Sequence, residues 1–225
     1  KASLESDITK WNYHVNKAML KIDKNRADRV VFILGNDLFH IDNGNKSTTK
    51  GTPQDVTSSY EHLITKVTET IINTINKMSM YCPIDVICIR GNHDSYSVVW
   101  LNQLLKLYYS DSPVNIISNN NYRQYYRWKS CAFMYVHGDK SNLKDLALAF
   151  ATEGGKTFEG AKFRNIRLGH LHRDMRMEIQ TIRIDYLPSL ANKDNYHNHN
   201  NYNSIQQAKV TWFDETGYLG EECLR

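Results

Sequence analysis

The chain of 225 residues lacks the features that mark secreted, membrane and disordered proteins. It has four cysteines and no C-x-x-C pair, so a disulfide framework is not expected and a reducing compartment fits best. Its longest apolar runs, such as "VVFIL", have the length of a strand and are too short to span a bilayer. With 4 prolines and 41% hydrophobic residues, the composition favours a folded globular protein. The formal net charge of +4 tilts only mildly towards anionic partners.

The first half of the chain alternates helical patterns with buried strands. Apolar residues recur at helical spacing in three segments, and two short apolar runs without that spacing predict buried strands. The predicted helices cover 3–25, 57–80 and 97–109, and the predicted strands cover 29–35 and 84–91. A polar, glycine-containing stretch at 36–55 is long enough to predict a functional loop.

After Pro113 the pattern becomes mostly strand. Six segments predict strands, at 114–118, 121–128, 130–138, 164–170, 179–188 and 207–223. A short helix is predicted at 143–152, with Ser141 as its N-cap. The tract "NYHNHNNYNS" at 195–204 predicts a polar loop, with metal binding by its histidines as the alternative. This order predicts an α/β fold with two sheets forming a sandwich flanked by helices.

Four short strings share one position, directly after a buried strand. They are "LGNDLFH" (34–40), "RGNHDSY" (90–96), "YVHGD" (135–139) and "LGHLHR" (168–173). Because the carboxyl ends of neighbouring strands converge on one crevice in layered α/β folds, the polar residues of these strings are expected to meet. His170 and His172 lie two apart, so an extended chain would project both imidazoles to the same side.

Each string is weak evidence of a site by itself, since an aspartate after a strand is usually a turn former and a histidine usually a hydrogen-bonded structural residue. Together they predict a metal site, because a carboxylate, an amide and three imidazoles at strand ends beside glycines are hard to explain by turn chemistry. Oxygen and nitrogen donors without thiolate suit Mn²⁺, Fe²⁺, Zn²⁺ or Mg²⁺.

The order GNDxxH, GNHD, HGD, GHxH resembles the calcineurin-like metallophosphoesterase superfamily over nearly the whole chain. Within it, "LGNDLFH" is most similar to the "GGDLFH" of SbcD-type DNA double-strand-break repair exonucleases. The resemblance implies the metallophosphoesterase fold and a phosphodiesterase that uses hydroxide held by two divalent cations, of which Mn²⁺ is preferred. It implies DNA or another phosphodiester as substrate, no membrane, and a second copy of the chain as partner, without indicating a dimer face.

The resemblance also implies roles for the matching residues. Asp37 would bridge two metals, and the remaining metal ligands would be Asn92, His137, His170 and His172. His93 would protonate the leaving group and His40 would lie beside the scissile phosphate. Asp94 either orients His93 or caps the following helix, two readings of equal weight. Arg173 and Asn36 are expected to contact substrate.

The chain also departs from the family pattern. Members begin with a strand that ends in D-x-H, whose residues bind the first metal, and here neither that strand nor that motif precedes the first helix. With Lys1 in place of a starting methionine, the expectation is one metallophosphoesterase domain, 1–225, that lacks its first strand and has no separate capping domain.

Two other functions remain open at this point. The first is a phosphatase or phosphodiesterase for small or nucleotide substrates, since one fold hosts many chemistries. The second is a non-catalytic interaction scaffold with a degraded metal site. The arginines of "YRQYYRW" are better explained as a solvated strand face than as a nucleic-acid surface. The expected location is cytoplasmic, with the asparagine- and lysine-rich composition hinting at a phage protein in a bacterial host.

Overall fold

A computed structural model describes residues 3–140, 142–191 and 205–225. Ser141 and the tract 195–204 lie outside the described residues. The chain divides into two compact units, Lys1–Tyr122 and Arg123–Arg225, called unit one and unit two below. Within the described residues, no helix is both long and apolar enough to cross a membrane. The four cysteines are free thiols.

Unit one is a three-stranded parallel sheet with three helices. Its elements are α1 (Leu4–Lys24), β1 (Val30–Gly35), α2 (Tyr60–Ser79), β2 (Ile84–Ile89), α3 (Ser95–Tyr108) and β3 (Asn115–Ile116). The strand order is β1-β2-β3, with β1 and β2 paired in register from Val30 opposite Ile84 to Gly35 opposite Ile89. Parallel strands require crossover connections, which the helices supply. As a result β1 and β2 end side by side, and the loops that follow them leave the same edge.

The core of unit one explains why these segments fold as they do. Every residue of β2 is buried, and apolar residues of α2 and α3 such as Ile71, Ile75 and Leu105 are 0–1% exposed. They form one cluster with side chains of β1 and α1. Ser3 and Ser59 cap α1 and α2 by accepting hydrogen bonds from the backbone N–H three residues on. The helices and strands predicted for this half are confirmed, with bounds shifted by a few residues.

Among its described residues, unit two has a five-stranded mixed sheet, a separate hairpin and two helices. Its elements are β4 (Gln124–Trp128), β5 (Cys131–Val136), α4 (Leu143–Glu153), α5 (Gly155–Phe158), β6 (Phe163–Leu168), β7 (Met175–Ile179), β8 (Ile182–Tyr186), β9 (Ala208–Phe213) and β10 (Tyr218–Leu224). The sheet order is β4-β5-β6-β8-β7, and β9 pairs with β10. The β5, β6 and β8 strands run parallel, so β5 and β6 also end side by side. Their apolar residues form a core with α4.

The mixed α/β class with helix-flanked sheets is confirmed. Two segments of the second half, 179–188 and 207–223, are each predicted as one strand. Both predictions are wrong, because the first segment contains the end of one strand and the whole of the next, and the second contains two strands of a hairpin. The segment 179–188 holds the end of β7, a turn at Gln180 with φ +54°, and β8; the segment 207–223 holds β9, a turn after Asp214, and β10. As a result the described residues form sheets of three, five and two strands rather than two sheets. Asn142 caps α4 by accepting from the N–H of Asp145.

Candidate metal centre and catalytic loops

The loop after β1 begins with three consecutive left-handed residues. Gly35, Asn36 and Asp37 have φ of +85°, +64° and +68°. Asparagine and aspartate tolerate this region better than other residues with side chains, which explains their place here. The Asn36 N–H donates to the Ile89 carbonyl at 2.7 Å, so this turn is tied to the end of β2. The sharp reversal places Asp37 next to the loop that follows β2.

Asp37 is held by the "GNHD" loop. One of its carboxylate oxygens accepts from the His93 N–H at 2.9 Å. A Cβ on Gly91 would lie 2.0 Å from that oxygen and 2.5 Å from the Asp37 backbone nitrogen. Only glycine therefore allows the two loops to approach this closely. The predicted meeting of the first two strings is thus present within unit one, where half-buried Asn92 lies on the same loop.

The side chain of Asp94 hydrogen-bonds to the backbone of both loops, the one after β1 and the one after β2. It is 0% exposed and its two oxygens accept from the backbone N–H groups of Phe39 and Gly91, both at 3.0 Å. Burial and the neighbouring charge of Asp37 raise the pKa of Asp94 well above its usual range. It occupies the N-cap position of α3 but makes no capping bond, and among the described contacts it does not bond the His93 ring. Neither the contact with the His93 ring nor the cap of α3 is present among the described contacts. The Asp94 side chain holds the backbone of Phe39 and Gly91 instead.

His93 and His40 form a stacked pair. Their ring centroids lie 5.3 Å apart with planes 23° from parallel. The Nδ1 atom of His93 lies 3.3 Å from the His40 carbonyl oxygen. Because a carbonyl only accepts, this contact requires the proton on Nδ1. The Nε2 atom is then the ring nitrogen of His93 that can exchange a proton with a ligand.

Sequence reasoning missed Asp42, which organises the loop that carries His40. Asp42 is 6% exposed and accepts from the Tyr96 N–H at 3.0 Å, the Ser97 N–H at 2.7 Å, and the hydroxyls of Ser97 and Thr49, both at 2.6 Å. It therefore caps α3 from a distant loop, the role weighed for Asp94. Local sequence carries no signal for this, because a cap is normally sought directly before its helix.

In unit two, the two loops after β5 and β6 bring two histidines together. His137 is 2% exposed, and its Nε2 lies 3.1 Å from the Nδ1 of His170. The Gly169 N–H donates to the His137 carbonyl at 3.1 Å, which ties the two loops. The rings meet edge to face, with centroids 4.9 Å apart.

The spacing of these two nitrogens fits one metal ion. Two nitrogens bound to one Zn²⁺ at about 2.0–2.1 Å lie about 2.8–3.4 Å apart for bond angles between about 90° and 109°. The observed 3.1 Å falls inside this range. The contact is either a hydrogen bond between the rings or, with both nitrogens unprotonated, a pair of ligands for one cation. His137 and His170 therefore pass a geometric test for shared coordination.

The sequence pattern predicts that His170 and His172 project to the same side of an extended chain. The structure instead places both in a loop with a tight turn. β6 ends at Leu168, and both histidines lie in the following loop with left-handed φ of +59° and +51°. The Leu171 N–H donates to the Gly169 carbonyl at 2.7 Å, which marks a tight turn between them. Half-buried His172 and exposed Arg173 follow on the same loop.

Two of the arginines near the last motif, Arg176 and Arg183, are engaged in ion pairs. Arg183 and Arg176 both bond Asp185 and Glu221 at 2.5–3.1 Å. Arg123 forms a fork with Glu153 through two bonds of 2.8 Å. The structural interpretation of "YRQYYRW" is therefore favoured.

Comparison with known proteins assigns no family. No family model matches the chain, and no curated protein matches it. Among solved structures, a novel archaeal phosphodiesterase is similar with a TM-score of 0.42 and 15% identity, over 86% of this chain and 99% of that one. Wild-type Vps29 from Entamoeba histolytica, complexed with Zn²⁺, has a TM-score of 0.41 and 11% identity, over 83% and 87%. Both TM-scores are below 0.5, so neither likeness assigns a fold or an activity to this chain.

Proposed function

We propose that this chain is a metal-dependent phosphodiesterase whose substrate is DNA, cleaved as an exonuclease or endonuclease. The observation that carries the proposal is the 3.1 Å separation of His137 Nε2 and His170 Nδ1, which suits two ligands of one cation. The motif set supports the reaction class, and the contact of His93 Nδ1 with the His40 carbonyl, which leaves Nε2 for a ligand, supports proton transfer in unit one. The small net positive charge of the chain is compatible with an anionic substrate.

The proposed ligand set is mixed oxygen and nitrogen. Asp37, Asn92, His137 and His170 would hold one divalent cation, and Asp37 with His172 would contribute to a second. This donor set suits Mn²⁺, our preferred ion, and is compatible with Fe²⁺, Zn²⁺ or Mg²⁺. When bound, such cations make water a nucleophile near neutral pH and offset charge on the phosphate.

The protein's own groups would bind the substrate and handle the proton. His93, held through Nδ1 by the His40 carbonyl, would donate a proton from Nε2 to the leaving oxygen. Asp94 would keep the loops of Asp37 and His93 in register through the N–H groups of Phe39 and Gly91. Arg173 and Asn36 would contact phosphate oxygens, and His40 would lie beside the scissile phosphate.

Dependence on the leaving group tests the role of His93. A DNA alkoxide needs a proton to leave, whereas p-nitrophenolate does not. We expect His93→Ala to lower cleavage of single- or double-stranded DNA with Mn²⁺ by about 10²–10⁴-fold and to spare bis-p-nitrophenyl phosphate in comparison. Equal activity of the two proteins on DNA would contradict the assignment. Wild-type activity on bis-p-nitrophenyl phosphate without activity on DNA would favour a small-substrate phosphodiesterase.

Metal binding tests the ligand set without relying on activity. We expect His170→Ala to weaken Mn²⁺ binding, measured by titration calorimetry, by at least about tenfold. His62→Ala is the matched control, because His62 is a half-exposed histidine on α2 in a surface contact with Glu5. Unchanged Mn²⁺ affinity in His170→Ala would contradict the site. Binding of less than one equivalent by wild type would favour the scaffold function.

A further inference from the structure

The loop between β6 and β7 contains two residues in an uncommon backbone conformation. It covers 169–174 and carries His170 and His172, whose φ values of +59° and +51° are left-handed. This conformation is uncommon for any residue with a side chain, and it persists where the surrounding structure fixes it. The histidine loop, 169–174, therefore needs an anchor at each end.

Backbone hydrogen bonds anchor the beginning of the histidine loop. The Gly169 N–H donates to the His137 carbonyl at 3.1 Å, and the Leu187 N–H donates to the Leu168 carbonyl at 2.7 Å. These bonds join the end of β6 to the ends of its two neighbours, β5 and β8. They hold the backbone directly before His170, and neither of them involves a residue beyond Gly169.

Two buried side chains at the start of β9 anchor the other end. Asp174 is the last residue of the loop, and its Oδ1 atom accepts from the Lys209 Nζ at 2.5 Å. Its Oδ2 atom accepts from the Gln207 Nε2 at 3.1 Å. The Lys209 side chain is 6% exposed and Gln207 is 4% exposed. Both carboxylate oxygens of Asp174 are therefore bonded to the hairpin of β9 and β10.

Lys209 is itself held firmly by the hairpin. Its Nζ also donates to the Glu221 carboxylate on β10 at 3.2 Å. Burial alone would lower the pKa of Lys209, but hydrogen bonds to Asp174 and Glu221 outweigh it and the pKa is raised. The ammonium group therefore stays charged. Because its stem is buried and its Nζ bonds two carboxylates, Lys209 lacks the rotamer freedom that makes exposed ion pairs weak.

We propose that Lys209 is a positioning residue for metal binding, which acts through Asp174 to fix the half of the histidine loop that carries His172. Asp174 lies two residues after His172, so their Cα atoms are at most about 7 Å apart and a shift of one displaces the other. His170 is held separately, by the backbone bonds at the start of the loop. The inference rests on the proposed function, in which both histidines are metal ligands.

Hydrogen exchange of the metal-free chain tests the anchor separately from any metal. Lys209→Met keeps an apolar stem and removes the charge. We expect it to accelerate exchange of the Leu171 amide, which bonds within the loop, at least about tenfold, and to leave the Gly169 amide within about twofold. Lys129→Met is the matched control, because Lys129 contacts Glu215 of the same hairpin at 3.5 Å through side chains that are 50% and 71% exposed. It should change neither amide.

Cobalt binding tests the consequence for the metal ligands. Co²⁺ is a coloured probe for sites of oxygen and nitrogen donors, and its visible absorption depends on coordination geometry. We expect Lys209→Met to weaken Co²⁺ binding about tenfold and to alter the spectrum of the bound ion, and Lys209→Arg to restore most of both. Lys129→Met should match wild type. A loss of stability alone would not change the spectrum of the folded protein.

The outcomes separate this inference from the proposed function. Unchanged Leu171 exchange in folded Lys209→Met would overturn the inference, and so would faster exchange with an unchanged Co²⁺ spectrum, which would limit Lys209 to a structural role. A wild type that binds no Co²⁺ would contradict the proposed function, whereas faster Leu171 exchange would still support the anchor. If Lys209→Met does not fold, Asp174→Asn, which keeps the Lys209–Glu221 pair, decides by the same two measurements.

Discussion

In unit one, the buried carboxylates of the loops after β1 and β2 are satisfied by backbone N–H groups and hydroxyls, whereas Asp185 and Glu221 of unit two bond arginine and lysine side chains. Asp42 and Asp94 accept six hydrogen bonds from N–H and O–H donors, none of them cationic. Asp185 and Glu221 instead bond Arg176 and Arg183, and Glu221 also bonds Lys209. Carboxylates are therefore stabilised by dipoles in these loops of unit one and by full charges in unit two, although Asp85 on β2 of unit one also pairs with a full charge, that of Arg29.

The difference appears in the carboxyl pKa values. Burial and the charge of Asp37 raise the pKa of Asp94 well above its usual range. For Asp185, burial alone would raise the pKa, but hydrogen bonds from Arg183 and Arg176 outweigh it and the pKa is lowered. Unit one thus favours the neutral form of Asp94 where the loops after β1 and β2 meet. Unit two cancels its buried charge and leaves two imidazoles as candidate ligands.

The largest expected effect is the loss of an anion from the ion-pair network of unit two. Asp185→Asn should destabilise unit two by up to about 3–5 kcal/mol, because buried Arg183 loses one of its two anionic partners and keeps only Glu221. Asp94→Asn should cost less, since it removes a carboxylate whose ionisation burial already disfavours. Hydrogen exchange at amides of β8 and β2 would measure each unit separately. A greater loss of stability in Asp94→Asn than in Asp185→Asn would contradict this difference between the two units.

The close approach of the loops after β1 and β2 predicts the next effect. Gly91→Ala should destabilise unit one by about 1–3 kcal/mol and weaken Mn²⁺ binding, because the new methyl group collides with Asp37. Gly44→Ala, where the added atom would meet nothing within 4 Å, is the control. Chemical denaturation and calorimetric titration would measure the two effects. Normal Mn²⁺ affinity in Gly91→Ala would argue against Asp37 as a ligand.

Removing the distant cap of α3 should have a smaller effect. Asp42→Asn should cost about 1–2 kcal/mol, because an amide cannot accept all the bonds that the carboxylate accepts. Exchange of the Tyr96 and Ser97 amides should accelerate most. Asp55→Asn, at an exposed position of the same loop, should change neither quantity. Unaltered exchange in Asp42→Asn would show that these caps contribute little to α3.

The mildest test is the pH dependence of the two units. The pKa of Asp185 is lower in the folded state than in the unfolded state. Its contribution to the stability of unit two is therefore present above the unfolded-state pKa and is lost as the pH falls through the folded-state pKa, below about 4. The raised pKa of Asp94 changes stability in the opposite direction: as the pH falls and Asp94 takes up a proton, unit one gains stability. Hydrogen exchange between pH 3 and pH 7, in the presence of a chelator, should show unit two weakening first. Parallel loss in both units would contradict the contrast.

Most elements and the candidate residues were predictable because their signals are local. Apolar periodicity marked α1, α2 and α3, and short apolar runs marked β1, β2, β5 and β6. The hairpin of β7 and β8 was not predictable, since its turn at Gln180 and Thr181 carries no glycine or proline. Glycines beside polar residues at strand ends identified the loops of Asp37, His93, His137 and His170.

Sequence by itself determined which residues lie at the ends of buried strands. Apolar runs indicate the strands, and the glycine and polar residues directly after them indicate the turns. Tertiary structure decided how their side chains are used. It gave the α3 cap to Asp42 rather than Asp94 and set His170 against His137. These outcomes depend on contacts between residues far apart in the chain, which local periodicity and spacing do not encode.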